Sequence, residues 1–210
     1  MTSVDPPAPA DTDVRAIAVE RLTFFADAVI AIAVTLLALD LPVPRGDTNL
    51  EMWHSTTANA EAYLAFAISF LVISRRWAAH HHIFRYVTHL DGRLRGFTMA
   101  WLFTQIVTPF ATRVIVGDGA FQFRFGFYVL VQLVSQAVFT LMVREVETRH
   151  LYRDDTPPDL FRRTYLREIG MAAGFVVAVP VSFFTAWAYA CWALGPLAMN
   201  LMRRLRRVAY

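Results

Sequence analysis

The chain has 210 residues, of which 56% are hydrophobic and 18% are charged, with a formal net charge of +3 at pH 7. Soluble domains carry charges on about a quarter of their residues, so this composition excludes an ordinary soluble domain and indicates a membrane protein. The lone Cys191 excludes an internal disulfide, and the basic residues, all arginine, lie beside hydrophobic segments, which indicates topology signals rather than a nucleic-acid-binding patch.

The first predicted elements are a short polar tail and a hydrophobic helix. Residues 1–13 are rich in Pro, Ala and Asp, and we expect them to be disordered, with no signal-peptide pattern. The helix is expected to start near Val14 and to end at Leu41, because Pro42 follows. Its membrane span is predicted to cover residues 20–41.

One face of this first helix is a continuous aliphatic stripe. At about 100° per residue, the members of the stripe are Phe25, Ala28, Val29, Ile32, Leu36 and Leu39. Thr35 borders the stripe, whereas Asp27 lies about 140° from Ile32 on the helical wheel. An intramembrane carboxylate is costly unless it is paired or hydrated, so Asp27 is a candidate functional site. The stripe fits either packing against neighbouring helices or lining a pore in an oligomer.

Five further membrane spans are predicted, at residues 58–76, 97–115, 125–143, 169–184 and 186–202. The second helix is expected to continue past its span through a run of three histidines, and Pro109 is expected to kink the third helix. We therefore predict an all-α integral membrane protein with six transmembrane helices in one domain over residues 14–208.

The fourth predicted span contains polar residues that recur three or four positions apart. They are Gln132, Ser135, Gln136 and Thr140. This spacing places them on one side of the helix, and such side chains form hydrogen bonds between membrane helices. We expect the fourth helix to bond its neighbours in this way.

The arginines define a topology for the six spans. With both termini cytoplasmic, 17 arginines lie on the cytoplasmic side and 3 on the opposite side. Cytoplasmic loops carry an excess of basic residues, so this imbalance favours six spans over five. We predict a multi-pass protein of the cell membrane with both termini in the cytoplasm.

A second candidate site joins the first two helices near their cytoplasmic ends. Asp27 and the histidines His80, His81 and His82 share a depth in this topology, so a carboxylate–imidazole contact can form. The favoured interpretation is a network that locks the helices together, and the alternative is a proton relay. Arg21 would turn toward Asp27, Glu20 or a neighbouring subunit.

The remaining polar patterns exclude several functions. Three adjacent histidines point in different directions on a helix, so we expect no metal site. No phosphate-binding loop, paired-carboxylate pattern or nucleophile elbow occurs in the sequence, which indicates that the protein is not an enzyme and needs no cofactor. Asp40 ends the first helix and, with Asp47 and Glu51, would give a negative outer vestibule or plain solvated charges.

Three motifs in this order resemble one known family. They are Arg21-x-x-x-Phe25-Ala26-Asp27 in the first helix, Trp77-Ala-Ala-His80-His81-His82-Ile-Phe84 in the second, and Pro109-Phe110-Ala111-Thr112 in the third. They are similar to the signatures of the bacterial relatives of the endosomal and lysosomal potassium channel, transmembrane protein one-seven-five. Ala26 replaces a usual Ser, and the segment Phe97 to Leu102 lacks an Asn that the family usually has there.

The resemblance implies a homotetrameric potassium-selective channel whose first helices line the pore. Carried over by motif, Ile32 would be the innermost constriction, with Leu36 and Leu39 as the next rings and Thr35 implicated in selectivity. The permeant ions would be monovalent cations, and the protein would sit in a lipid bilayer. Two alternatives stay open from the residues alone: a proton-coupled transporter that uses Asp27 and His80–His82, and a non-conducting membrane scaffold.

Overall fold

The computed structural model describes residues 9–181, and this part of the chain forms six α-helices. They are α1 (Pro9–Leu39), α2 (Asn49–Ala58), α3 (Ala60–Phe84), α4 (Gly92–Val116), α5 (Phe121–Thr148) and α6 (Leu160–Val181). Within this range, α1, α3, α4 and α5 are long and apolar enough to cross a membrane. The predicted all-α membrane fold is confirmed.

The helices extend beyond the spans predicted from hydropathy. α1 begins at Pro9, inside the segment expected to be disordered, and α3 continues through the histidine run to Phe84. At α4, the Asp91 carboxylate accepts a hydrogen bond from the Leu94 N–H at 2.6 Å and so starts the helix ahead of the predicted span. Hydropathy locates the apolar part of a helix, whereas capping groups and polar turns determine its ends.

The short helix α2 was not predicted and lies in the connection after the first span. A capping box starts it, because the Thr48 hydroxyl accepts from the Glu51 N–H and the Glu51 carboxylate accepts from the Thr48 N–H, both at 3.3 Å. The Glu51 carboxylate also accepts from the Asp47 N–H at 2.8 Å. The sequence Thr-Asn-Leu-Glu is the signature of this motif. Glu51 therefore acts as a cap rather than as a free loop charge.

The second half of the described chain differs from the prediction in the connection between α5 and α6. α6 begins at Leu160, so it takes in the end of the connection between the predicted spans 125–143 and 169–184 and much of the second of these spans. An antiparallel bridge between Val87 and Tyr152 ties the remaining loop to the connection between α3 and α4. The predicted span 186–202 lies outside the described residues.

α4 and α5 form the most extensive pair among the described helices and contain more buried residues than any other two of them. Trp101, Phe139 and Met142 are fully buried between them. α1 and α3 pack against α4, and α6 packs against α5. The pair α4–α5 thus forms the support on which α1 is held, with one face of α1 turned away from it.

Candidate functional site

α1 has one buried face and one exposed face. Ala26, Ala33 and Leu37 are buried against the other helices. The stripe lies on the other side, where Ile32 is 60% exposed and Leu39 is 78% exposed. Most of the stripe is thus not used for packing among the described residues 9–181, which argues against the packing interpretation within this part of one subunit. Such a face must meet lipid, another subunit or a pore.

The remaining stripe members follow the same division, with one exception. Phe25 and Leu36 are exposed, as is Ala28. Val29 is partly buried and packs against the core, so it sits at the edge of the stripe rather than at its centre. The exposed surface therefore centres on Ile32, as the wheel predicts.

Thr35 is exposed beside the stripe, and its hydroxyl is oriented by the backbone. The Thr35 hydroxyl donates to the Ile32 carbonyl at 2.8 Å. A hydroxyl that donates its proton to the backbone keeps its oxygen lone pairs available as acceptors. Thr35 can therefore present an oxygen to a cation beside the Ile32 level.

Asp27 is bound by an indole instead of an imidazole. The Trp77 Nε1–H donates to the Asp27 carboxylate at 2.7 Å, which links α1 to α3. Trp77 in turn contacts the His81 ring, with ring centroids 5.7 Å apart. The expected carboxylate–imidazole contact is not what joins the helices. Asp27 of the first motif and Trp77 of the second do meet.

His80 is buried in an aromatic stack. Its ring lies 4.0 Å from that of Phe84 and 4.7 Å from that of Trp101, centroid to centroid, and it is nearly parallel to Trp101. Neither His80 nitrogen has a hydrogen-bond partner among the described residues. Trp101 lies in the segment where the resembled family usually has Asn, so an aromatic contact stands where a polar one was expected. Such an imidazole is poorly placed to relay protons.

Arg21 lies apart from Asp27. It is exposed near the start of the α1 stripe, and among residues 9–181 it takes part in no salt bridge. The expected turn toward Asp27 or Glu20 is therefore not observed within one subunit. The same range contains no group of three His, Cys, Asp or Glu side chains that could hold a metal ion.

At the opposite end of α1, Asp40 pairs with an arginine. The Arg113 Nε lies 3.5 Å from the Asp40 carboxylate, which joins the end of α1 to the end of α4. Both side chains are solvent-accessible, so the pair is weak and screened by salt. The negative charge expected from Asp40 at the outer mouth is therefore partly balanced by its own chain.

A buried ion pair that the sequence does not predict joins α3 to α6. Arg76 Nη1 donates to the Glu168 carboxylate at 2.8 Å, and both side chains are buried. The arginine pattern predicts Arg76 as a topology signal at the membrane surface, and the structure places it in the interior instead. The spacing Ser69, Ile73, Arg76, His80 and Ile83 marks one helical face, and all five residues are buried. That pattern is the signal that could have placed Arg76 inside.

The hydrogen bonds predicted for the fourth span are confirmed for two of its residues. Gln105 Nε2 donates to the Ser135 hydroxyl at 2.8 Å, joining α4 to α5, and Gln136 donates to the Glu168 backbone carbonyl. Thr140 instead donates to the Gln136 carbonyl within its own helix. The two bonds between helices, from Gln105 and from Gln136, hold α5 between α4 and α6.

The fold and site define a multi-pass helical membrane protein whose first long helix leaves an apolar face uncovered. Residues 21–109 match the model of the family described as endosomal/lysosomal potassium channel TMEM175. The chain is 31% identical over 171 residues to a potassium channel of Streptomyces collinus, across 79% of this chain and 83% of that protein. The chain therefore belongs to the TMEM175 family. The family is described as one of potassium channels and not of enzymes.

Further relatives and solved structures agree with this assignment. A potassium channel of Chryseobacterium sp. is 30% identical over 122 residues, covering 58% of this chain and 62% of that protein. The crystal structure of a lysosomal potassium-selective channel TMEM175 homolog from Chamaesiphon minutus matches with a TM-score of 0.69 and 23% identity, over 88% of this chain and 97% of that one.

The potassium channel MtTMEM175, solved as a threonine variant with a nanobody fusion, matches with a TM-score of 0.57 and 18% identity, over 89% of this chain and 93% of that one. At these identities the two structures show that the fold is shared.

Proposed function

We propose that the protein is a potassium-permeable and potassium-selective cation channel, a homotetramer in which the α1 helices surround a central pore. The observation that carries the proposal is the exposed α1 stripe centred on Ile32, opposite a face that packs within the chain. The relatives named as potassium channels support the choice of ion.

The constriction would consist of stacked rings from Ile32, Leu36 and Leu39. At a rise of about 1.5 Å per residue, the Ile32 and Leu36 rings are about 6 Å apart, and the three rings extend over about 10 Å of the axis. A narrow apolar tube of this length holds water and hydrated ions poorly, so it controls conduction by dewetting. Thr35 lies between the first two rings and can offer its oxygen to an ion that has shed water.

The proposal also includes the orientation of the protein in the membrane, the permeant ion and the location of ion selectivity. Both termini would be cytoplasmic, and the cytoplasmic side would carry most of the arginines. The permeant ions would be potassium ions, with no resident cofactor. The sequence contains no Thr-Val-Gly-Tyr-Gly loop, so selectivity would arise at the Ile32–Thr35 level rather than from rings of backbone carbonyls.

Ion flux from proteoliposomes tests the position of Ile32. The experiment compares potassium and sodium efflux for the wild type and for Ile32→Asn. An amide in the ring holds water, so we expect faster flux and weaker discrimination between the ions. A barrier lowered by about 1.4 kcal/mol raises the rate about tenfold.

Ile106→Asn is the matched control for this experiment. Ile106 is 49% exposed on α4, so the same substitution is made at a similarly exposed position of a different membrane helix. We expect its flux per protein molecule to match the wild type. Equal effects of the two variants would show that the Ile32 face contacts lipid, and a folded tetramer without any flux would overturn the conduction proposal.

The transporter alternative gains no support from the contacts of its proposed relay. Asp27 is bound by Trp77, and His80 is stacked between two aromatic rings. A proton-coupled transporter would move protons with potassium at a fixed ratio, whereas the proposed channel conducts potassium alone. In planar-bilayer recording, a reversal potential that follows the potassium gradient and does not shift with the pH gradient indicates the channel, and one that shifts with the pH gradient indicates the transporter.

A further inference from the structure

A cavity of about 470 Å³ lies between α3 and α6, away from the α1 stripe. Arg75, Arg76 and His82 line it from α3, and Arg167 and Glu168 line it from α6. With His82 neutral, three guanidinium groups face one carboxylate, so the cavity is positively charged. A concave site of this sign attracts anions.

Arg76 carries hydrogen-bond donors that the described part of the chain does not satisfy. The side chain is 2% exposed, and its Nη1 is bound to Glu168. Its Nε and Nη2 are buried and have no partner among residues 9–181. A buried donor without a partner costs free energy, and an anion that accepts from it removes this cost.

Phosphate is the group that this arrangement fits best. A guanidinium presents two parallel N–H bonds that match the oxygens of a phosphate group. Arg75 and Arg167 are exposed at the cavity and can bind the remaining oxygens. The predicted topology places these arginines at the cytoplasmic membrane surface, at the depth of lipid headgroups. Basic pockets between helices on that side recognise such headgroups.

We propose that the α3–α6 cavity binds a phosphate-bearing anion through Arg76, Arg75 and Arg167. Ala78, Ala79 and Met171 line the rest of the cavity and suit the glycerol and acyl carbons of a lipid. The same arginine donors would also bind free phosphate, whose oxygens accept from them. Binding would link α3 to α6 and so stabilise the packing of the subunit.

The test is direct binding to the full chain in detergent, by native mass spectrometry with phosphatidic acid, phosphatidylcholine or inorganic phosphate. Arg75→Gln/Arg167→Gln removes two cavity charges. The matched control is Arg93→Gln/Arg162→Gln, because both arginines are exposed, lie on α4 and α6, and do not line the cavity. Each removed cavity arginine should weaken phosphatidic acid binding about fivefold, and the control should bind like the wild type.

The probes separate the two sources of the anion. Binding of phosphatidic acid but not inorganic phosphate assigns the site to a lipid headgroup, and the reverse assigns it to a soluble anion. If neither binds, or if the control variant loses as much affinity as the cavity variant, the proposal is wrong. If the double variant does not fold, Arg167→Gln against Arg162→Gln gives the same comparison on one helix. Because the experiment measures binding, its result is independent of whether the protein conducts ions.

Discussion

Arg75 and Arg76 are adjacent in sequence but occupy opposite environments. Arg75 is exposed at the rim of the α3–α6 cavity, whereas Arg76 is buried in the ion pair with Glu168. Removing two charges from water is costly, and their attraction offsets the cost only while both partners are present. The pair therefore holds α3 and α6 together and makes each partner dependent on the other.

Arg76→Gln should destabilise the subunit by about 3–5 kcal/mol, because it leaves the Glu168 carboxylate buried without a counter-charge. Thermal or denaturant unfolding of the detergent-solubilised protein measures the loss. Arg75→Gln is the control and should change stability by no more than about 0.5 kcal/mol, since that side chain is exposed. Arg76→Gln/Glu168→Gln should recover part of the loss. Equal costs for the two single variants would contradict a buried ion pair.

At the scale of the helix, α1 combines small buried residues with large exposed ones. Ala26 and Ala33 are buried where α1 meets the rest of the chain. Small residues let membrane helices approach closely, and close contact compensates for the weak hydrophobic driving force between helices in lipid. The large side chains of the stripe are thereby left on the far side, available to other subunits.

Ala33→Leu should disturb this contact. The added carbons have no space at a fully packed position, and overpacking of this kind costs about 1–3 kcal/mol. The melting temperature in detergent should fall accordingly. Ala18→Leu makes the same change at an exposed position of α1 and should leave it unchanged. A fall of the same size in both variants would mean that α1 does not pack through Ala33.

The elements that hydropathy could predict are the ones whose membrane segments are uniformly apolar. α1, α3, α4 and α5 were located in this way because lipid requires a continuous apolar helix. α2 was missed because it is short and polar, although its capping box is visible in the sequence. The early start of α6 was missed because its first turns are charged and read as a loop.

The contacts of the candidate site were less accessible to sequence reasoning. Because Asp27 and the α3 motif are predicted at the same membrane depth, a contact between α1 and α3 at Asp27 was correctly predicted. Depth alone does not identify which donor on α3 binds the carboxylate. Trp77 takes that contact, while Trp101 of α4 covers His80. The Arg76–Glu168 pair joins residues 92 positions apart, and no local pattern predicts such a partner.

At the scale of the whole molecule, charge is distributed differently at the two ends of α1. The predicted cytoplasmic side carries 17 arginines, while the predicted outer end of α1 carries Asp40 in a pair with Arg113. In the proposed tetramer, symmetry repeats this pair around the outer mouth of the pore. The mouth would then attract cations less than a ring of unpaired carboxylates does, because each Asp40 has a counter-charge beside it.

Removing the charge of Arg113 and removing the charge of Asp40 should change potassium conductance in opposite directions. Arg113→Gln frees Asp40 and should raise potassium conductance about twofold at low ionic strength, whereas Asp40→Asn leaves Arg113 unbalanced and should lower it by a similar factor. Both effects should fade at about 1 M salt, where the screening length is about 3 Å. Planar-bilayer recording of purified protein measures them.

Arg45→Gln is the control, because it removes the same charge from the predicted outer loop, away from the pair, and should have a smaller effect. Since the effect of Arg113→Gln is ascribed to Asp40, it should disappear in the Asp40→Asn background, and an equal increase there would show that Asp40 does not face the ion path.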